Sequence, residues 1–345
     1  MLLEGIFLPL TTPFHADGRL FLHKLALNVE HYSRTQAAGM LVLGGVGEPD
    51  SLTDEETRSV LSTVAAGAAR EKVLLAGVGR GSVRATLELA EFAAAAGYDA
   101  IAVRPPEFCR DGSLVSELMT YFHTVADSSA LPVVLLGEPE RPLPVEVIGA
   151  LAQHPNIVGA IDHAATRERS EALLEIGSGV SAEVTVTLTF AAVTRRMLAG
   201  DETAGNMISA DSLSGGVALS VAPMAATIKT RRKRVGFQYL AGSTGTLLET
   251  WHAGAVGGVP RLGAAAPQAC CEVWQAFKDG DPVLAEEKQH RIRAAAAMVE
   301  GQGVAALKYG CDLNSYFGGV PRLPLLPLDA ERQDAVERIL AGMKN

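Results

Sequence analysis

The chain has 345 residues, of which 48% are apolar and 20% charged, with a net charge of −9. This length suits one large barrel-type domain or two ordinary ones, and the acidic balance argues against nucleic-acid and anionic-membrane partners. No charge-free apolar run of about 18 residues is present, so no membrane span is expected.

Met1 to Ile6 carries no basic stretch and leads straight into a strand, so a signal peptide is not expected. Short apolar runs then alternate with segments of helical period. The strands are expected at Gly5–Leu10, Met40–Leu43, Val73–Gly77, Ala100–Val103, Val133–Leu136 and Ile157–Ile161. Amphipathic stretches separate them at Leu22–Gln36, Asp54–Ala69, Val83–Ala96, Ser113–Ala126 and Val145–His154. Strand–helix units in series, with strands apolar on both faces, predict a parallel sheet. Thr53-Asp-Glu-Glu56 reads as a capping box, Asp111-Gly-Ser113 precedes the next helix, and Gly39 and Gly97 stand where left-handed helix caps are wanted.

The rhythm breaks after Ile176. It resumes at Phe237–Ala241 and Ala255–Val259, with a helix at Leu247–His252, which makes eight strands in all. Eight strands close a TIM (β/α)8 barrel. The barrel is expected over 1–265, with an insertion at about 177–236 before the seventh strand, and a helical region over 266–345. That tail reads as helices at Gln268–Lys278, Pro282–Glu300, Ala305–Gly310 and Ala330–Met343. Within the insertion, Glu183–Phe190 alternates as a half-exposed strand does, and the basic cluster Lys229–Arg234 reads as a solvated loop, with a phosphate or partner contact as the alternative. The cysteines, Cys109, Cys270, Cys271 and Cys311, have the spacing of neither a zinc site nor a disulfide framework, which points to a reducing cytoplasm.

Several segments, in this order, are similar to the dihydrodipicolinate synthase / N-acetylneuraminate lyase family of class I aldolase-like barrels. They are Gly5–Phe14 with Asp17-Gly18, Gly44–Glu48 with Leu52-Thr53, Ala76–Gly79, Arg104–Phe108, Leu131–Pro139 and Pro155–Gly159. The resemblance places the family's Schiff-base lysine at Ile161 and its proton-relay tyrosine at Leu136. The tyrosine lent by a neighbouring subunit falls at Phe108, and the two threonines of the carboxylate-holding loop fall at Gly45 and Val46. A sec-butyl group cannot condense with a carbonyl, so the family's usual covalent chemistry is not expected. Glu48, Pro139 and Arg141 survive. The resemblance also implies pairing of barrels, hence a homodimer or homotetramer.

Active sites of such barrels are built after the strand C-terminal ends. Those ends offer Thr11, Thr12, Glu48, Arg80, Arg104, Glu107, Glu138, Asp162, His163, Ser243 and Thr244. We read Glu48, Glu138, Asp162 and His163 as catalytic candidates, and Gly45, Val46, Gly47, Arg104 and Arg141 as holding a small carboxylate ligand. The set needs no cofactor, although carboxylates with an imidazole leave room for a divalent metal. Structural ion pairs at the rim are the competing reading of Arg104, Glu107 and Glu138. At the level of the molecule, the reading is a divergent lyase-family enzyme for a small oxo or hydroxy acid. The alternatives are a non-catalytic binding or assembly protein, and a pyruvate-dependent aldol enzyme with a relocated lysine. Among the lysines, Lys229 and Lys233 are expected to be the only ones able to fold over the mouth, with Lys278, Lys288 and Lys308 in the tail.

Overall fold

The computed structural model describes residues 1–109, 114–139, 142–199 and 228–343. Arg141, the Asp111–Ser113 helix entry and the middle of the insertion lie outside these described residues. In chain order the strands are β1 (Gly5–Pro9), β2 (Gly39–Val42), β3 (Val73–Gly77), β4 (Ala100–Val103), β5 (Val133–Gly137) and β6 (Ile157–Asp162), followed by β7 (Ala182–Thr187), β8 (Thr230–Val235), β9 (Gln238–Ala241) and β10 (Gly257–Gly258). All but β7 and β8 close into one parallel barrel in the order β1-β10-β9-β6-β5-β4-β3-β2. The expected barrel is therefore what forms.

The helices packed between barrel strands are α1 (Leu22–Ser33), α2 (Asp54–Gly67), α3 (Val83–Ala95), α4 (Val115–Ser128), α5 (Val145–Leu151) and α6 (Arg167–Gly177). A short α7 (Arg195–Leu198) belongs to the insertion, and α8 (Leu247–His252) joins β9 to β10. The tail contains α9 (Pro267–Lys278), α10 (Pro282–Val299), α11 (Val304–Leu313) and α12 (Ala330–Leu340). The start of α2 is set by the capping box: Glu56 N donates to Thr53 Oγ1 at 3.2 Å and Thr53 N to Glu56 Oε2 at 3.0 Å. Gly97, with φ +89°, ends α3 in the left-handed region. Gly39 is not a helix cap. It lies inside β2, where a Cβ would stand 2.2 Å from Val73 O, so close strand approach requires the glycine.

Alternation along the strands sorts the core into two layers. Phe7, Leu41, Leu75, Ala102, Val134, Leu136, Ile161 and Leu240 fill the barrel interior. Leu8, Met40, Val42, Leu74, Ile101, Leu135, Ala160 and Tyr239 face the helices. The interior is thus a packed hydrocarbon plug rather than a pore.

The insertion corrects one expectation. Lys229–Arg234 is not a loop: its residues from Thr230 on form β8, which pairs antiparallel with β7 from Ala182↔Val235 to Thr187↔Thr230. The cluster holds a strand because its charges find partners. Arg232 meets Glu183 at 2.8 Å, Lys233 meets Glu4 at 2.7 Å, and Arg231 lies over the Phe190 ring. Val184 and Val186 pack on Leu2, Thr194 Oγ1 donates to Arg70 O, and Arg195 N donates to Asp99 Oδ1. Residues 1–4, 70 and 99 all precede barrel strands, so the ribbon and α7 cover the N-terminal end of the barrel, away from the mouth. Lys233 accordingly does not reach the mouth.

Candidate active site

The loop after β2 supplies one wall of the mouth. Gly45–Gly47 makes a single 3-10 turn, closed by Gly47 N donating to Gly44 O at 2.8 Å and fastened by Thr12 Oγ1 donating to Gly47 O at 2.7 Å. Such a turn leaves its leading N–H groups without an acceptor inside the helix. Glu48 follows in the left-handed region, φ +53°, a conformation that costs a non-glycine residue energy. Its carboxylate holds it there. Oε2 accepts from Arg322 N at 2.9 Å, and Oε1 pairs with Lys308 Nζ at 2.5 Å.

Lys308 is the second correction. It belongs to α11 of the tail, as expected, yet the tail carries it under the mouth, where it is fully buried. Its ammonium also donates to Val320 O at 3.0 Å and sits over the Phe14 ring at 4.4 Å. Burial lowers its pKa, and the charge of Glu48 opposes that shift. Arg322 extends the cluster, meeting both carboxylate oxygens of Glu56 and holding that carboxyl down at about 2.

A cavity of about 270 Å3 opens above Pro9 and Leu41, walled by Gly45, Val46 and Glu48 on one side and by Glu138, Pro139 and His163 on the other. Arg104, Asp50 and Arg261 complete the polar lining, and Val304 and Leu325 of the tail close the top. Arg104 is clamped by both carboxylate oxygens of Asp50, one of them at 2.7 Å. Burial disfavours its charge, but Asp50, with Glu138 and Glu107 nearby, outweighs burial and raises its pKa. Glu138, two residues beyond Leu136, lines the cavity, and its Oε1 lies 2.9 Å from where a Cβ on residue 45 would stand. A side chain at position 45 would therefore collide with this carboxylate. Gly45 and Glu138 fit each other.

Asp162 and His163 part company. Ile161 faces inward, so Asp162 turns away from the interior: its Oδ2 accepts from Arg169 and, at 3.1 Å, from Tyr239 OH, while Oδ1 accepts from Ala164 N at 3.0 Å. It does not line the cavity, which corrects its assignment to the catalytic group. The next residue turns back. His163 Nδ1 donates to Gly242 O at 2.9 Å, which fixes the neutral tautomer and leaves Nε2 as the basic nitrogen of a ring that lines the cavity. Burial, reinforced by the charge of Arg261, lowers its pKa to about 4.

Other sequence candidates lie elsewhere. Arg80 reaches Thr57 Oγ1 and Glu107 is exposed; neither lines the cavity. Thr244 donates to Glu300. Trp251 and Trp274 pack edge to face at 5.0 Å, as packing aromatics do. Among the described residues no three His, Cys, Asp or Glu side chains stand close enough to share a metal ion, so the carboxylates and imidazole do not make a metal centre there. All four cysteines are free and buried, and no described helix is long and apolar enough to cross a membrane. The residues that sequence reasoning missed are Arg261, Asp50 and Lys308. Arg261 had a signal: it stands two beyond Val259, at the end of the eighth expected strand.

The Dihydrodipicolinate synthetase family model matches residues 2–175 and 215–343. The chain belongs to that family. An L-threo-3-deoxy-hexylosonate aldolase of Hypocrea jecorina is 27% identical over 96% of this chain and 93% of its own length. A 4-hydroxy-tetrahydrodipicolinate synthase of Methanothrix thermoacetophila is 28% identical over 99% and 97%. Among solved structures, the E. coli prophage protein YagE, a dihydrodipicolinic acid synthase family member in complex with pyruvate, superposes with a TM-score of 0.77 at 23% identity, covering 99% of each chain. That likeness establishes the family's barrel for this chain.

Proposed function

We propose that this family member is a lyase acting on a small oxo or hydroxy acid without forming a Schiff base. The observation that carries the reading is Ile161, sealed with Leu136 in the dry interior layer while Glu138, His163 and Arg104 line the cavity above them. Lys308 offers no substitute amine. Its Nζ is committed to Glu48 and Val320 and has no access to the cavity, whereas an imine needs an accessible neutral amine.

For a 4-hydroxy-2-oxo acid, whose hydroxyl is β to the ketone, His163 Nε2 would take the hydroxyl proton. The carbon–carbon bond then breaks, its electron pair passes to the fragment bearing the carbonyl as an enolate, and the other fragment leaves as a carbonyl compound. Guanidinium charge at the mouth stabilises the enolate, and the imidazolium returns its proton to the enolate carbon. Glu138 orients the hydroxyl. The aldolase and synthase among the relatives support carbon–carbon chemistry. A cytoplasmic location and association into a dimer or tetramer belong to the same reading.

The test is product analysis of the full chain with a panel of 2-oxo-4-hydroxy acids. Cleavage is expected, reduced about a hundredfold or more in His163→Gln. Turnover that His163→Gln leaves intact would contradict the assignment. The ion pairs Arg104–Asp50 and Glu48–Lys308 favour a second reading, a binding protein whose mouth charges are structural. Binding of an acid without turnover selects it.

A further inference from the structure

The Arg261 side chain makes no hydrogen bond and no ion pair among the described residues, although the residue is only partly exposed. A guanidinium carries five donors, and withdrawing it from water without an acceptor is unfavourable. The acid nearest in influence, Glu300, is already engaged: its Oε1 accepts from Thr244 Oγ1 at 2.5 Å and from Leu262 N at 2.9 Å. Arg261 also occupies a particular place. A second cavity of about 390 Å3 lies beside the first, and Pro139, His163 and Arg261 line both. The imidazole and the uncommitted cation therefore stand together where the two spaces meet.

We propose that Arg261 is the anion anchor of this site, docking the carboxylate of a bound acid at the junction of the two cavities beside His163. The proposal rests on the functional reading above and adds the residue that positions the substrate. It carries a consequence for the base. Arg261 is one of the groups that disfavour the imidazolium, together with burial. A carboxylate docked on Arg261 offsets that field, so binding raises the proton affinity of His163 Nε2. Other charged groups facing these cavities are Glu48, Asp50, Arg104 and Glu138 on one side and Arg293 and Glu300 on the other. Glu48 and Asp50 are held by Lys308 and Arg104. The docked acid thus makes the ring a stronger base toward the hydroxyl proton it must take.

Calorimetry of the full chain with pyruvate and with gluconate tests the anchor, and titration of the His163 ring by NMR tests the coupling. Arg261→Gln should weaken both acids tenfold or more, with Arg261→Lys weakening them less. In the free protein, Arg261→Gln should raise the His163 midpoint, and in the wild type saturating pyruvate should raise it too. Acid binding that survives Arg261→Gln, or a His163 midpoint moved by neither change, overturns the proposal. A wild type that binds neither acid defeats the functional reading as well, so the two failures are distinguishable.

Discussion

Ile161 and Leu136 pack against each other's layer at the two places where the resemblance sets an amine and a phenol, and Gly45 leaves room for Glu138 where it sets a threonine. These changes are coupled by space as well as by chemistry. Incubation with pyruvate and borohydride should therefore leave the mass of the protein unchanged, and Ile161→Lys alone should not create synthase activity, because the hydroxyls at 45, 46 and 136 are also missing. A pyruvyl adduct on any lysine, read by mass spectrometry, would contradict this. Arg141, which the resemblance assigns to carboxylate binding, gives a parallel expectation: Arg141→Ala should weaken small acids about tenfold, equivalent to about 1.4 kcal/mol. His163 bears on stability. The unfolded chain protonates this ring near 6.5 and the folded chain near 4, so the unfolded state binds the extra proton as pH falls through that window. Folding should lose on the order of 3 kcal/mol there. In urea unfolding at pH 7 and 4.5, the wild type should lose more stability than His163→Asn; equal losses would show that His163 is not the group responsible. The direction of Asp162 and His163 was readable in principle from strand alternation. That Arg261 stands uncommitted was not, because an absent partner is a fact about space.

Among elements, those with local signals were legible. β3, β4 and α8 begin and end where apolar period, glycines and caps put them. β8 was not, because a run of Lys and Arg carries no strand signal of its own and its partners, Glu183 and Glu4, are far away in sequence. α11 was located correctly along the chain, but its placement under the mouth depends on the path of the tail, which no local pattern encodes. Its Lys308 gives the sharpest test at this scale. Removing the amine strands the Glu48 carboxylate in a dry setting, so Lys308→Met should cost about 3–5 kcal/mol in chemical denaturation. Adding Glu48→Gln to that variant should restore part of the loss, since the uncompensated charge goes with it. A double variant no better than the single one would mean that packing of the lysine stem, rather than charge, is what matters.

For the whole molecule, the barrel followed from counting units and from their order, and both survive an insertion whose described ribbon and α7 lie at the opposite end. The expected association bears on the surface of the single chain. Phe108 is 61% exposed and borders an apolar hollow lined by Val83 and Tyr121, with Val115 also exposed nearby. Burying such a patch favours pairing of copies. Sedimentation at micromolar concentration should show a dimer or larger, and Phe108→Asp should shift it toward monomer. A wild-type monomer would count against the expectation.

The upper wall of the mouth, Val304 and Leu325, and the lysine and arginine that brace Glu48 all come from the tail rather than from the barrel's own loops. For protein engineering this makes residues 304–325 an exchangeable cassette. Grafting the matching stretch of a relative, with position 48 chosen to suit, would redraw the shape and charge of the entrance while leaving all eight strands untouched.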